Sequence, residues 1–69
     1  MSLIMVRVSQ VDFAEILAAM REWLDRNNCL LEEFETEAGD DGSIVIKAQF
    51  ADDHAAELFR REFQGNYGD

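Results

Sequence analysis

Proline is absent from this chain, and cysteine, histidine and tryptophan occur once each. Only 6 of its 69 residues are Lys or Arg, against 15 Asp or Glu. One cysteine can close no internal disulfide and supplies no multi-cysteine zinc site, which fits a reducing compartment and an expected cytoplasmic location. One histidine, His54, would have to carry any imidazole chemistry. The net charge of −9 and a pI of about 4.3 oppose nucleic-acid binding, since nucleic-acid binders present basic surfaces. The same balance opposes a polybasic membrane anchor. No apolar run approaches the roughly 18–20 residues that span a bilayer, and no signal-peptide core follows the N-terminus. A Gly-rich phosphate loop, an H-E-x-x-H pair, a nucleophile elbow and a redox C-x-x-C are all missing, so no enzyme class and no cofactor is indicated.

Apolar residues are nevertheless sufficient for a small fold. Ile, Leu, Val and Phe number 19 of the 69 residues, more than a disordered segment carries. Length allows one domain, spanning 1–69. So small a core gains support from disulfides, metals or oligomerisation, and the first two lack residues here.

Periodicity assigns the elements. Ile4, Val6 and Val8 alternate with Leu3, Met5 and Arg7, as in a strand with its β-branched set facing inward. Ser9 and Asp12 form an S-x-x-D capping signature. Phe13, Ile16, Leu17, Met20, Trp23 and Leu24 then fall within an arc of roughly 120° at about 100° per residue, which predicts a helix over about 10–27. Asn27 and Asn28 supply a left-handed stop.

Glu33, Glu35 and Glu37 alternate with Phe34 and Thr36 in a second strand, where Glu32 interrupts the inward set and calls for a bulge or register shift. Gly39-Asp40-Asp41-Gly42 is turn chemistry. Ile44, Ile46, Ala48 and Phe50 alternate with Val45, Lys47 and Gln49 in a third strand. Asp52 or Asp53 caps a second helix with Ala55, Ala56, Phe59 and Phe63 inward, stopped at Gly65 and followed by a frayed tail over 66–69.

The expected order is β-α-β-β-α, an α+β two-layer sandwich whose antiparallel three-stranded sheet runs 1-3-2 with both helices on one face. In topology this resembles a ferredoxin-like fold lacking its last strand, a resemblance that implies no function. The expected core is Val6, Phe13, Leu17, Met20, Leu24, Ile44, Ile46, Phe59 and Phe63.

Candidate sites are sparse. His54 and Glu57, at i and i+3, could present two metal ligands on one helix face, an incomplete shell. Cys29 lacks a base placed beside it and reads as a packed thiol. Glu32, Glu33, Glu35, Glu37, Asp40 and Asp41 place six acids in ten residues, either a solvated edge or a docking surface for a basic protein. Arg60 and Arg61 suit a helix C-terminus. Trp23 is a core-boundary residue or an interface anchor.

Met5, Arg7, Val45 and Lys47, with Leu31, form the outward side of the sheet. That side, or the open edge of the first strand, is the expected contact of a homodimer. The function expected is therefore that of a non-catalytic interaction or regulatory module working as a homo-oligomer. The alternative is a small-molecule or metal-binding domain with weak enzymatic activity centred on His54 or Cys29.

Overall fold

A computed structural model describes residues 2–28 and 31–68. The expectations for Cys29 and Leu30 lie outside the described residues. The order is β1 (Ser2–Ser9), α1 (Phe13–Arg26), β2 (Leu31–Ala38), β3 (Ser43–Phe50), α2 (Asp53–Phe63) and β4 (Asn66–Tyr67). The sheet runs β2-β3-β1-β4, antiparallel throughout. This is the ferredoxin-like strand order.

The two-layer α+β arrangement is as expected, but the final strand is present. Residues 66–67, read as tail, pair with β1 through Ile4–Tyr67 and Met5–Asn66. The Gly68 N–H donates to the Leu3 carbonyl at 2.9 Å. Tyr67 is anchored from the helix layer, with its hydroxyl 3.3 Å from Glu57 Oε2 and the Arg60 guanidinium 5.6 Å from its ring centre. Sequence alternation has nothing to read in two residues. These tertiary contacts define the strand.

Helix ends show smaller corrections. Ser9 and Asp12 do bond reciprocally, Asp12 N–H to Ser9 Oγ at 3.3 Å and Ser9 Oγ–H to Asp12 Oδ2 at 3.1 Å. They close a turn ahead of α1, which begins at Phe13 rather than near residue 10. Asn28 takes the left-handed conformation expected of the stop, with φ 52°. Asp52 caps α2 by accepting the His54 N–H at 2.9 Å. The left-handed residue ending α2 is Gln64, φ 53°, one position before the expected Gly65.

The buried core is Ile4, Val6, Met20, Ile46, Ala48, Phe50, Ala56 and Phe59. Of the expected set, Val6, Met20, Ile46 and Phe59 are buried. Phe13, Leu24 and Phe63 are half-buried and pack against this core, and Ile44 is half-buried. Leu17 is half-buried but lies outside the cluster. Trp23 meets Phe59 edge-on at 5.5 Å and Phe63 at 6.3 Å, so one flank of α1 faces α2. Leu17 sits on the opposite flank by helical spacing and misses the packed centre. The register shift called for at Glu32 occurs between Leu31 and Glu33. It turns Leu31 to the helix-facing side, opposite Phe50, and not to the outer face.

Candidate interaction surface

Both helices cover one face of the sheet, and among the described residues no helix lies on the other face. Paired residues of neighbouring strands share a face, so the pairings lay out the open side in rows. Glu37, Val45 and Arg7 form the first row. Glu35, Lys47, Met5 and Asn66 form the second. Glu33, Gln49 and Leu3 form the third, with the Gly68 backbone against Leu3. Four expected interaction residues, Met5, Arg7, Val45 and Lys47, are thus brought together with three of the expected acids. Leu3, Met5, Val45 and Lys47 are half-buried. Met5, Arg7, Val45 and Asn66 line a shallow depression of about 240 Å³ there.

Ion pairs from Lys47 and Arg7 organise this surface. Lys47 Nζ lies 2.8 Å from Glu37 Oε2. This hydrogen bond holds the Glu37 carboxyl below its ordinary range and raises the Lys47 ammonium. Arg7 Nη2 reaches Asp41 Oδ2 at 3.1 Å. Asp41 also accepts from the Ser43 hydroxyl at 2.6 Å and the Ser43 N–H at 3.2 Å. Its carboxyl is lowered chiefly by that hydroxyl, with Arg7 adding a smaller effect. Glu33 and Glu35 have no ion-pair partner among the described residues. Asp40 is exposed in the β2–β3 turn. Glu33, Glu35 and Glu37 are therefore the outer column of the same open face, Asp40 and Asp41 lie in the adjoining turn, and Arg7 and Lys47 are partly neutralised by Asp41 and Glu37.

The remaining candidates are placed elsewhere. Trp23 belongs to the aromatic cluster with Phe59 and Phe63. His54 is exposed on the first turn of α2 and borders a groove of about 390 Å³ with Asn27, Asn28, Asp52 and Leu58. Glu57 is engaged by Arg60 at 2.6 Å and by the Tyr67 hydroxyl, and the Arg60 hydrogen bond lowers its carboxyl. The i, i+3 pair His54 and Glu57 thus has one member committed to structure. Among the described residues no group of three or more His, Cys, Asp or Glu is placed to hold a metal ion. Among them, too, no helix is long and apolar enough to cross a membrane. No protein-family model, curated protein or solved structure matches this chain.

Proposed function

We propose that this chain is a non-catalytic protein-interaction domain that works as a homodimer joined through the open face of its sheet. The carrying observation is the layout of that face, with Leu3, Met5 and Val45 on the two central strands and the glutamates confined to β2. A two-fold axis parallel to the strands sets β3 of one copy over β1 of the other. Each glutamate column then lies over the partner's uncharged β4 margin. An axis perpendicular to the strands would stack the two acidic columns, which is costly for copies carrying −9 each. Covering Met5, Leu3 and Val45 adds apolar burial to a core that is small in a chain of 69 residues. Pairing along β1, the other dimer mode, loses most of its support because β4 occupies the middle of that edge.

Sedimentation velocity at tens of micromolar tests the reading. A dimer that dissociates in Met5→Glu supports it, and a strict monomer across that range overturns it. A rise in melting temperature with a divalent metal that disappears in His54→Ala would favour a metal-binding domain instead.

A further inference from the structure

The second feature that the fold leaves open is the edge of β2. This strand ends the sheet, and no strand lies beyond it among the described residues. The Gly39 N–H donates to the Ser43 carbonyl at 2.7 Å, so beyond the bulge the peptide groups of Glu33, Glu35 and Glu37 face β3. Alternation then directs the N–H and C=O groups of Phe34, Thr36 and Ala38 outward from the sheet. Their side chains lie on the helix-facing side, opposite Ala48, Ile46 and Ile44. No helix covers them: Thr36 and Ala38 are exposed and Phe34 is 37% exposed. The flank of α1 turned away from α2 carries Leu17, half-buried and outside the core. Edge strands of soluble proteins are normally shortened, bulged or covered. This one bulges only at its start and is defended elsewhere by charge of one sign.

We propose that β2 accepts, as an added fifth strand, an extended basic segment of another protein in which Lys or Arg alternates with apolar residues. Backbone hydrogen bonds to Phe34, Thr36 and Ala38 would supply affinity without regard to sequence. Strand alternation would place one set of the guest's side chains on the open face beside Glu33, Glu35 and Glu37, where cations are attracted. The other set would lie next to Phe34 on the uncovered helix-facing side, where apolar groups are favoured. A second copy of this chain is the wrong guest, because β2 against β2 places glutamates beside glutamates. The outward peptide groups lie lateral to the proposed dimer face, and Glu33, Glu35 and Glu37 border both surfaces, so Met5→Glu, which touches only the dimer face, separates the two readings.

A capped heptapeptide of alternating Lys and Val, with a Glu–Val counterpart as control, tests the assignment by amide shift mapping and hydrogen exchange. The Lys–Val peptide is expected to protect the amides of Phe34, Thr36 and Ala38, and to bind at least tenfold more tightly than the control. Raising NaCl from about 50 to about 300 mM should weaken it markedly. Thr36→Pro removes an outward N–H without touching the ladder to β3, a position where an edge strand tolerates proline, and should cost at least tenfold in affinity. The double variant Glu33→Lys, Glu35→Lys should reverse the preference towards Glu–Val, which keeps the test decisive if the proline variant does not fold. Met5→Glu should leave peptide binding intact. Protection of the three amides without peptide, shifts centred on Met5, or affinity indifferent to both sets of substitutions would each overturn the proposal.

Discussion

A Cβ built on Gly65 would stand 2.9 Å from Ile4 Cγ2 and 3.0 Å from the Met5 carbonyl oxygen. The turn from α2 into β4 therefore lies flat against β1 because residue 65 has no side chain. Gly65 is buried, and its φ is not in the left-handed range, so its role is close approach and not conformational freedom.

Gly65→Ala should consequently destabilise the protein by about 1–3 kcal/mol, the usual cost of forcing a methyl group into packed structure. Hydrogen exchange should show the loss first at β4 and at the Gly68–Leu3 bond. A urea midpoint matching that of the parent would mean that β4 does not need this contact.

Phe59 is fully enclosed and touches three aromatic rings: Trp23, Phe50 at 5.1 Å and Phe63 at 4.9 Å. Phe59→Ala should cost about 3–5 kcal/mol, comparable with the entire stability of a small domain. Trp23 fluorescence reports the same cluster and should shift in the variant. An unchanged melting temperature would show that α2 does not dock through this ring.

Met20 and Leu17 lie on one apolar stripe of α1, yet only Met20 is sealed. Met20→Ala should cost about 2–5 kcal/mol, while Leu17→Ala should cost under about 1.5 kcal/mol, because Leu17 is partly exposed and lies outside the packed cluster. Equal losses in thermal melts would restore Leu17 to the core.

These contrasts show where sequence reading reaches and where it stops. The inward sets Ile4–Val6–Val8 and Ile44–Ile46–Ala48–Phe50 were legible because a sheet covered on one face imposes a period of two. The Glu32 irregularity was legible as a break in that period, but its consequence for Leu31 was not. Helical spacing set the angles of Leu17 and Trp23 on α1. It carried no information about how far the helix is displaced across the sheet, which decides that Trp23 packs and Leu17 does not. The open face was largely readable, since Met5, Arg7, Val45 and Lys47 follow from alternation. Placing Glu33, Glu35 and Glu37 in the same rows required the β2–β3 register.

Acid should weaken the fold through carboxylates that the folded state holds ionised. Hydrogen bonds from Lys47, from the Ser43 hydroxyl and from Arg60 lower Glu37, Asp41 and Glu57 respectively. The unfolded chain therefore takes up these protons first. Their contribution is complete above the ordinary values of 4.5 for Glu and 3.8 for Asp, and it is lost as pH falls through the lower folded values. All three sites are exposed or only partly covered, so the effect of each is modest. The clean comparison is the parent with Asp41→Asn: the urea midpoint should fall less steeply in the variant from about pH 5 to pH 2. Parallel profiles would mean that the Arg7 and Ser43 contacts of Asp41 do not persist in solution.

Salt should act in the opposite sense from its usual effect on ion pairs. Lys47–Glu37 bridges β3 and β2, Arg7–Asp41 ties β1 to the β2–β3 turn, and both are exposed on at least one side, so screening them loses little. Glu32, Glu33, Glu35 and Asp40 remain without an ion-pair partner among the described residues, close together in a chain of net charge −9. Their mutual repulsion extends over a Debye length of about 30 Å at 10 mM ionic strength but under about 10 Å at 200 mM. Added salt therefore relieves more repulsion than the attraction it removes. The urea midpoint should be higher in about 200 mM NaCl than in about 10 mM. Glu33→Gln combined with Glu35→Gln should raise the low-salt midpoint and shrink the difference. A midpoint that falls with salt would mean that the Lys47–Glu37 and Arg7–Asp41 pairs outweigh the acids that make no ion pair.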